Sequence, residues 1–162
     1  MKTSMYSDPA ERNFVLRLFY HNWRPTRAGR AANRIAAWWS ASGRSKEMAV
    51  LGVRGRASGQ WRSTPVMVAC VEGKRYLVSM LGPASEWVKN VEAAGGEAVL
   101  RQGRPQRVHL LTVPPAQRAP VLREYVRVAT SGRHHLPVAV DAPLSEFEAI
   151  ADRYPVYRIE LV

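Results

Sequence analysis

Apolar positions recur at two periods along this chain, helical near its start and alternating further on. Phe14, Val15, Leu18, Phe19 and Trp23 fall on one stripe at helical spacing. That stripe predicts a helix from Pro9 to Trp23, with Asp8 as its cap, Pro9 in the first turn and Glu11 at the positive end of the helix dipole. Pro25 interrupts the pattern. A second helix is predicted from Ala28 to Ser42, with Ile35, Trp38 and Trp39 on one face and Arg27, Arg30 and Arg34 on another. Those arginines read as a solvated helix face or as part of a basic amphipathic leader that touches an anionic membrane or covers a barrel mouth.

After Gly43 the alternation shortens to strand length. Strands are predicted over Met48–Arg54, Ser63–Val71 and Lys74–Met80, the last two joined by a two-residue turn at Glu72-Gly73. Pro65 limits pairing near the start of its strand. Gly82-Pro83 ends this run. A helix over Ala84–Ala94 turns Trp87, Val88 and Val91 inward, and Gly95-Gly96 stops it. Strands Glu97–Gln102 and Gln106–Val113 form a hairpin around Gly103-Arg104-Pro105. Pro114-Pro115 opens a helix to Ala129, a loop covers Ser131–Ala142, a short helix spans Leu144–Arg153, and Val156–Leu161 is a last strand.

Six short strands joined mainly by hairpins predict a mainly β fold, an antiparallel barrel with helices packed outside. At 162 residues the chain fits one domain. Residues 1–43 supply N-terminal helices, 48–113 the barrel, and 114–162 C-terminal helices and a closing strand.

Composition narrows the chemistry. A hydrophobic fraction of 46% is ordinary for a globular protein. No apolar run reaches the roughly 20 residues that cross a bilayer, and Met1–Asp8 lacks the apolar core of a secretory signal. The lone cysteine, Cys70, excludes an internal disulfide and agrees with a cytoplasmic location; its apolar neighbours predict a buried, inert thiol. Of 24 basic residues 20 are arginine, against 13 acids. Arginine's planar fork suits phosphate and carboxylate groups, so an anionic partner is implied. The excess is uneven, with 12 basic and 3 acidic side chains in residues 1–62.

The densest cluster is the turn after Met48–Arg54. Arg54, Arg56 and Arg62, Gly55 and Gly59, and Ser58 fall within nine residues. Glycines there let backbone N–H groups converge on an anion while the arginines neutralise it. An exposed hairpin with solvated arginines is the plainer reading of the same residues. Walker-type and dinucleotide glycine patterns are absent, as are metal-spaced His/Cys/Asp clusters and a nucleophile elbow.

The run Gly55-Arg56-x-Ser58-Gly59-x-x-Arg62, a Pro-containing strand, a hairpin, Gly82 and then Trp87-x-x-Asn90 resembles the deazaflavin (F420)-dependent nitroreductase and quinone reductase family. These are split β-barrel flavin or deazaflavin oxidoreductases, FMN-binding-like Greek-key barrels. The resemblance is carried by residues 48–113, and the remaining chain fits in length and element order. It implies hydride transfer from reduced coenzyme F420 to a small electrophile such as a quinone, nitro compound or enone, with FMN as the second cofactor choice. By position it implies that Arg56, Ser58, Gly59 and Arg62 hold the cofactor's phosphate and acidic tail. Thr64 and Pro65 would line the approach to the ring, Ser79, Met80, Leu81 and Gly82 would lie along its edge, and Trp87 and Asn90 would close the cleft. Ala57 and Leu81 stand where relatives often carry lysine, so Arg54, Lys89 or Arg101 are the alternative cations for an acidic tail.

Relatives place tyrosines for substrate contact in the C-terminal helices, which makes Tyr125 the candidate catalytic residue, with His134 and His135 behind it. The alternative readings are a core ring for Tyr125 and an exposed loop pair for the histidines. No metal and no nucleic acid are expected, and a monomer or homodimer is. The competing functions are a barrel binding FMN, haem or a hydrophobic ligand without redox turnover, and a basic nucleic-acid-binding module. The last lacks a recognition helix, zinc pattern or RNP-type aromatic run.

Overall fold

The computed structural model describes residues 20, 21, 24, 25 and 46–162, except residue 131. The chain falls into two compact units, Met1–Ala36 and Ala37–Val162. In the first, β1 (Tyr20–His21) pairs antiparallel with β2 (Arg24–Pro25). Within the span expected to be helical to Trp23, Tyr20 and His21 are therefore extended. Pro25 lacks an N–H and disfavours helical geometry at Arg24, which suits an extended pair. The rest of that helix, and the whole of Ala28–Ser42, lie outside the described residues.

The second unit is a closed six-stranded antiparallel barrel: β3 (Met48–Arg54), β4 (Trp61–Val71), β5 (Lys74–Val78), β6 (Glu97–Gln102), β7 (Arg104–Thr112) and β8 (Val156–Leu161). Around the barrel the order is β3-β4-β5-β8-β7-β6, with β6 returning to pair with β3. The chain thus makes a three-strand meander, crosses to the far side of β3, and inserts its last strand between β5 and β7. Alternation sorts the side chains. Ala49, Leu51 and Val53 on β3, Val68, Leu77, Ala98, Leu100, Val108, Leu110, Tyr157 and Ile159 make the interior cluster. Helix α1 (Glu86–Ala93) adds Val88 and Val91 to that cluster, with Trp87 packed against it.

The opposite faces of β4, β5 and β8 carry a second cluster, where Ala69, Val78 and Val156 meet helices α2 (Ala119–Val128) and α3 (Leu144–Glu148). Strand β4 is therefore buried on both sides at Val68 and Ala69, which explains its unbroken apolar run. The run misled in one place. Cys70 is exposed, because two residues past Val68 the strand leaves the barrel interior.

Several elements are shorter or longer than their patterns suggested. The helix expected over Pro114–Ala129 breaks into a 3-10 turn at Pro115–Gln117 and α2. Arg118 sits at the break, buried, giving Nε to the Val113 carbonyl at 2.7 Å and Nη1 to those of Ala151 and Tyr154 at 3.0 and 3.3 Å. The helix expected to Arg153 ends at Glu148 and tightens into three-residue turns. Strand β7 begins at Arg104 and takes in Pro105, which pairs with Arg101 before β8 reaches β7 at Val108.

Candidate functional site

Strand β4 runs past its partner. Val68–Val71 pair with β5, whereas Trp61–Met67 pair with β3 alone. Chain leaving β5 at Ser79 turns away to begin α1, so the first half of β4 has an open edge on its β5 side. Half-buried Thr64 and Pro65 lie on this stretch, opposite Leu51 and Val50.

The arginine-rich turn closes on itself at the end of that opening. Gly55 N–H donates to Gln60 O at 2.8 Å and Gly59 N–H to Gly55 O at 2.8 Å. Gln60 N–H donates to the Ser58 hydroxyl at 3.3 Å. Arg54 gives Nη1 to Gly59 O at 3.0 Å and lies over the Trp61 ring, 4.7 Å from its centre. Gly59 has φ 65°, a conformation that side chains disfavour, so glycine is required there. The glycines therefore shape the loop, and their own N–H groups are consumed in it. The N–H groups of Ala57 and Ser58, at the tip, are the ones without a partner among the described residues.

Arg56 is held by α1. Its N–H and its Nη1 both donate to Asn90 Oδ1 at 3.1 Å, and Nη1 also meets Glu86 Oε2 at 2.9 Å. Asn90 is buried and fixes the turn to the helix. Glu86 also sits 3.8 Å from Lys89, so it tempers two of the nearby cations. Arg62 is different: its stem passes Gly55, and its guanidinium pairs with no described side chain. Arg62 and the two tip N–H groups are donors for an anion's oxygens. The residues present fit a phosphate-bearing cofactor.

The other predicted positions divide. The Ser79 hydroxyl is spent inside its loop, donating to Gly82 O at 2.7 Å and accepting from the Ser85 hydroxyl at 2.9 Å. Its N–H donates to Pro155 O, so Ser79 anchors the segment rather than offering its side chain outward. Met80 and Leu81 are half-buried and Gly82 is buried. Trp87 packs edge-on against Tyr157, ring centres 5.6 Å apart at 61°. The Tyr157 hydroxyl lies 3.5 Å from Glu92 Oε1, and burial foremost, then Glu92, pushes its pKa up to about 12.

Tyr125 is 3% exposed and belongs to the helix-layer cluster. Burial raises its pKa, so the hydroxyl stays protonated. A Cβ on Gly132 would lie 2.6 Å from that hydroxyl and 3.0 Å from Met80 Sδ. Only glycine lets this backbone approach, and the contact joins the 130–136 loop to the segment after β5. His134 and His135 fall in a 3-10 turn (Arg133–His135), the first exposed and the second half-buried. Burial and then the neighbouring His134 lower the His135 pKa. A surface depression of about 250 Å³ bounded by Pro115, Ala116, Glu148, Ala149, Ala151 and Asp152 shares no residue with the turn.

Sequence reasoning missed Glu86, Gly132 and Arg133. The Glu86–Asn90 spacing of four on one helix was the available signal for the first. Nothing local marked the other two.

The sequence matches the profile of the F420H(2)-dependent quinone reductase family over residues 29–143. Among curated proteins no match is found. The structure resembles that of a protein of unknown function from Agrobacterium tumefaciens, at TM-score 0.52 and 12% identity, covering 88% of this chain and 57% of that one. It is also similar to an F420-H2 dependent reductase, FDR-A, at TM-score 0.47 and 15% identity, covering 71% of this chain and 95% of that one. The family match spans the arginine-rich turn, the open edge of β4, α1 and α2. The chain belongs to the F420H(2)-dependent quinone reductase family, and it is a split-barrel oxidoreductase that uses coenzyme F420.

Proposed function

We propose that this protein reduces a quinone at the open edge of β4. Related electrophiles, nitro compounds and enones, are secondary substrates of the same site. The observation that carries this reading is the family match across residues 29–143, which contains the arginine-rich turn, β4, the segment Ser79–Gly82 and α1.

Reduced F420 supplies a hydride when bound. The chain's own residues bind and orient. Arg62 and the N–H groups of Ala57 and Ser58 hold the phosphate end. Arg56 is the secondary cation, since Glu86 and Asn90 already occupy one of its nitrogens. Asn90 keeps the turn at a fixed height on α1. Thr64, Pro65 and the segment Ser79–Gly82 border the ring, and Trp87 with Tyr157 forms a dry floor that excludes water. Tyr125 works through Gly132, setting how closely the 130–136 loop approaches Met80.

Titrating the full-length protein with F420, FMN and haem, then following anaerobic oxidation of reduced F420 by menadione, tests this directly. F420 is expected to bind in the micromolar range or tighter and to be oxidised only when quinone is present. Arg62→Ala is expected to weaken F420 about tenfold or more, the loss of one charge-assisted hydrogen bond. Absence of F420 binding at micromolar concentration sinks the proposal.

A further inference from the structure

Among the described residues, one buried side-chain nitrogen lacks any hydrogen-bond partner: Nε of Arg133. The contrast with Arg118, a buried arginine, is instructive. Arg118 is also withdrawn from water, yet its fork is filled by three main-chain carbonyls. A desolvated donor left unpaired is costly, and such groups recur where a ligand completes them.

Its location suggests which ligand. Arg133 follows Gly132, whose backbone closes on Met80 Sδ and the Tyr125 hydroxyl. Met80 lies in the segment that borders the proposed cofactor ring. The backbone around Arg133 is held firmly. Arg133 N–H donates to Ala129 O at 2.8 Å, His135 N–H to Gly132 O at 3.1 Å, and Leu136 N–H to Arg133 O at 3.1 Å. The Tyr154 hydroxyl donates to His135 O at 3.0 Å. A donor presented from a braced loop is already ordered before the ligand arrives, which is what stabilises developing charge.

We propose that Arg133 is the acceptor-binding residue, donating to the quinone oxygen that becomes negatively charged on reduction. In that step a C–H bond of F420H2 breaks and its hydride passes with the electron pair to the quinone, while F420H2, oxidised by those two electrons, releases one proton to solvent. The resulting oxyanion is held by the guanidinium until it takes a proton from solvent. The inference rests on the quinone reductase reading and adds to it a residue that recognises the acceptor.

The test compares the wild-type chain with Arg133→Met and Arg133→Lys. Menadione is titrated into each, with and without oxidised F420, and loss of tryptophan emission is followed; F420 binding, melting temperature and steady-state KM and kcat are measured in parallel. Arg133→Met keeps an apolar stem and removes the orphan donor, so its melting temperature should hold or rise. Menadione binding should weaken at least tenfold, with the menadione KM rising, kcat falling and F420 binding unchanged. Arg133→Lys, which keeps the charge without the fork, should fall between. An unchanged menadione isotherm in Arg133→Met overturns the inference. So does a fall in melting temperature that weakens F420 and menadione equally, the signature of a structural role. A wild-type chain that binds no menadione in either state overturns it as well. Failure of F420 to bind would instead remove the quinone reductase reading, while the cofactor-free menadione titration still decides the role of Arg133.

Discussion

The two sides of β4, β5 and β8 follow different rules. Facing inward they meet an apolar interior closed by strand alternation, in which the Tyr157 hydroxyl reaches out to Glu92. Facing outward they meet a helix layer that buries Tyr125 among its aliphatic side chains, with the buried Arg118 at the start of α2. An apolar interior needs only volume and period to hold its shape. A layer with buried polar groups needs each group matched, so any mismatch is informative. Arg118 there is matched, whereas the Nε of Arg133, in the turn that follows α2, is not. The first reads as a clamp and the second as a place for a ligand.

The largest effects should come from emptying either core. Phe147→Ala in the helix layer should cost about 3 to 5 kcal/mol, and Leu100→Ala in the barrel about 2 to 5 kcal/mol, by urea unfolding. Because β4, β5 and β8 are shared by both clusters, each variant should still unfold in one transition. Two separate transitions would break the comparison, making the layers independent. Arg118→Met comes next, at about 3 kcal/mol, since three carbonyls lose their donor. A neutral result would show that the clamp is dispensable.

Gly132→Ala should destabilise by about 1 to 3 kcal/mol, because a Cβ there meets the Tyr125 hydroxyl. Tyr125→Phe removes the obstructing oxygen, so in the double variant the two costs should fall short of additive. Strict additivity would mean that the contact is not what makes glycine necessary. Asn90→Ala should loosen the arginine-rich turn, costing about 1 kcal/mol in stability and weakening F420 about fivefold.

The smallest effect concerns acid. The folded-state pKa of His135 is lowered, by burial first. The unfolded chain therefore takes up its proton first as pH falls below about 6.5, and the fold loses stability in that window. His135→Gln should flatten the drop in melting temperature between pH 7 and 5.5. An unchanged slope would assign that loss to other groups.

Much of this was visible in the chain itself. Strands Met48–Arg54, Glu97–Gln102 and Val156–Leu161 have the bounds their alternation predicted. The barrel followed because six such strands with hairpin turns must bury one face each. The arginine-rich turn was also legible, since its residues are consecutive. Cys70 was misjudged because hydropathy reports composition and not where a strand passes out of a core.

Local patterns determined most strands, the barrel and the existence of an arginine- and glycine-rich turn, because each depends on residues within a few positions of one another. The tertiary structure alone decided which arginines are free. Arg56 is drawn to Glu86 and Asn90 some thirty residues away, Arg54 to Trp61, and Arg118 to carbonyls on either side of the helix layer. Arg62 keeps its guanidinium clear of every described side chain, and the Nε of Arg133 is buried without a partner. Whether a charge is spent or available depends on partners brought together by folding, and no spacing along the chain encodes that.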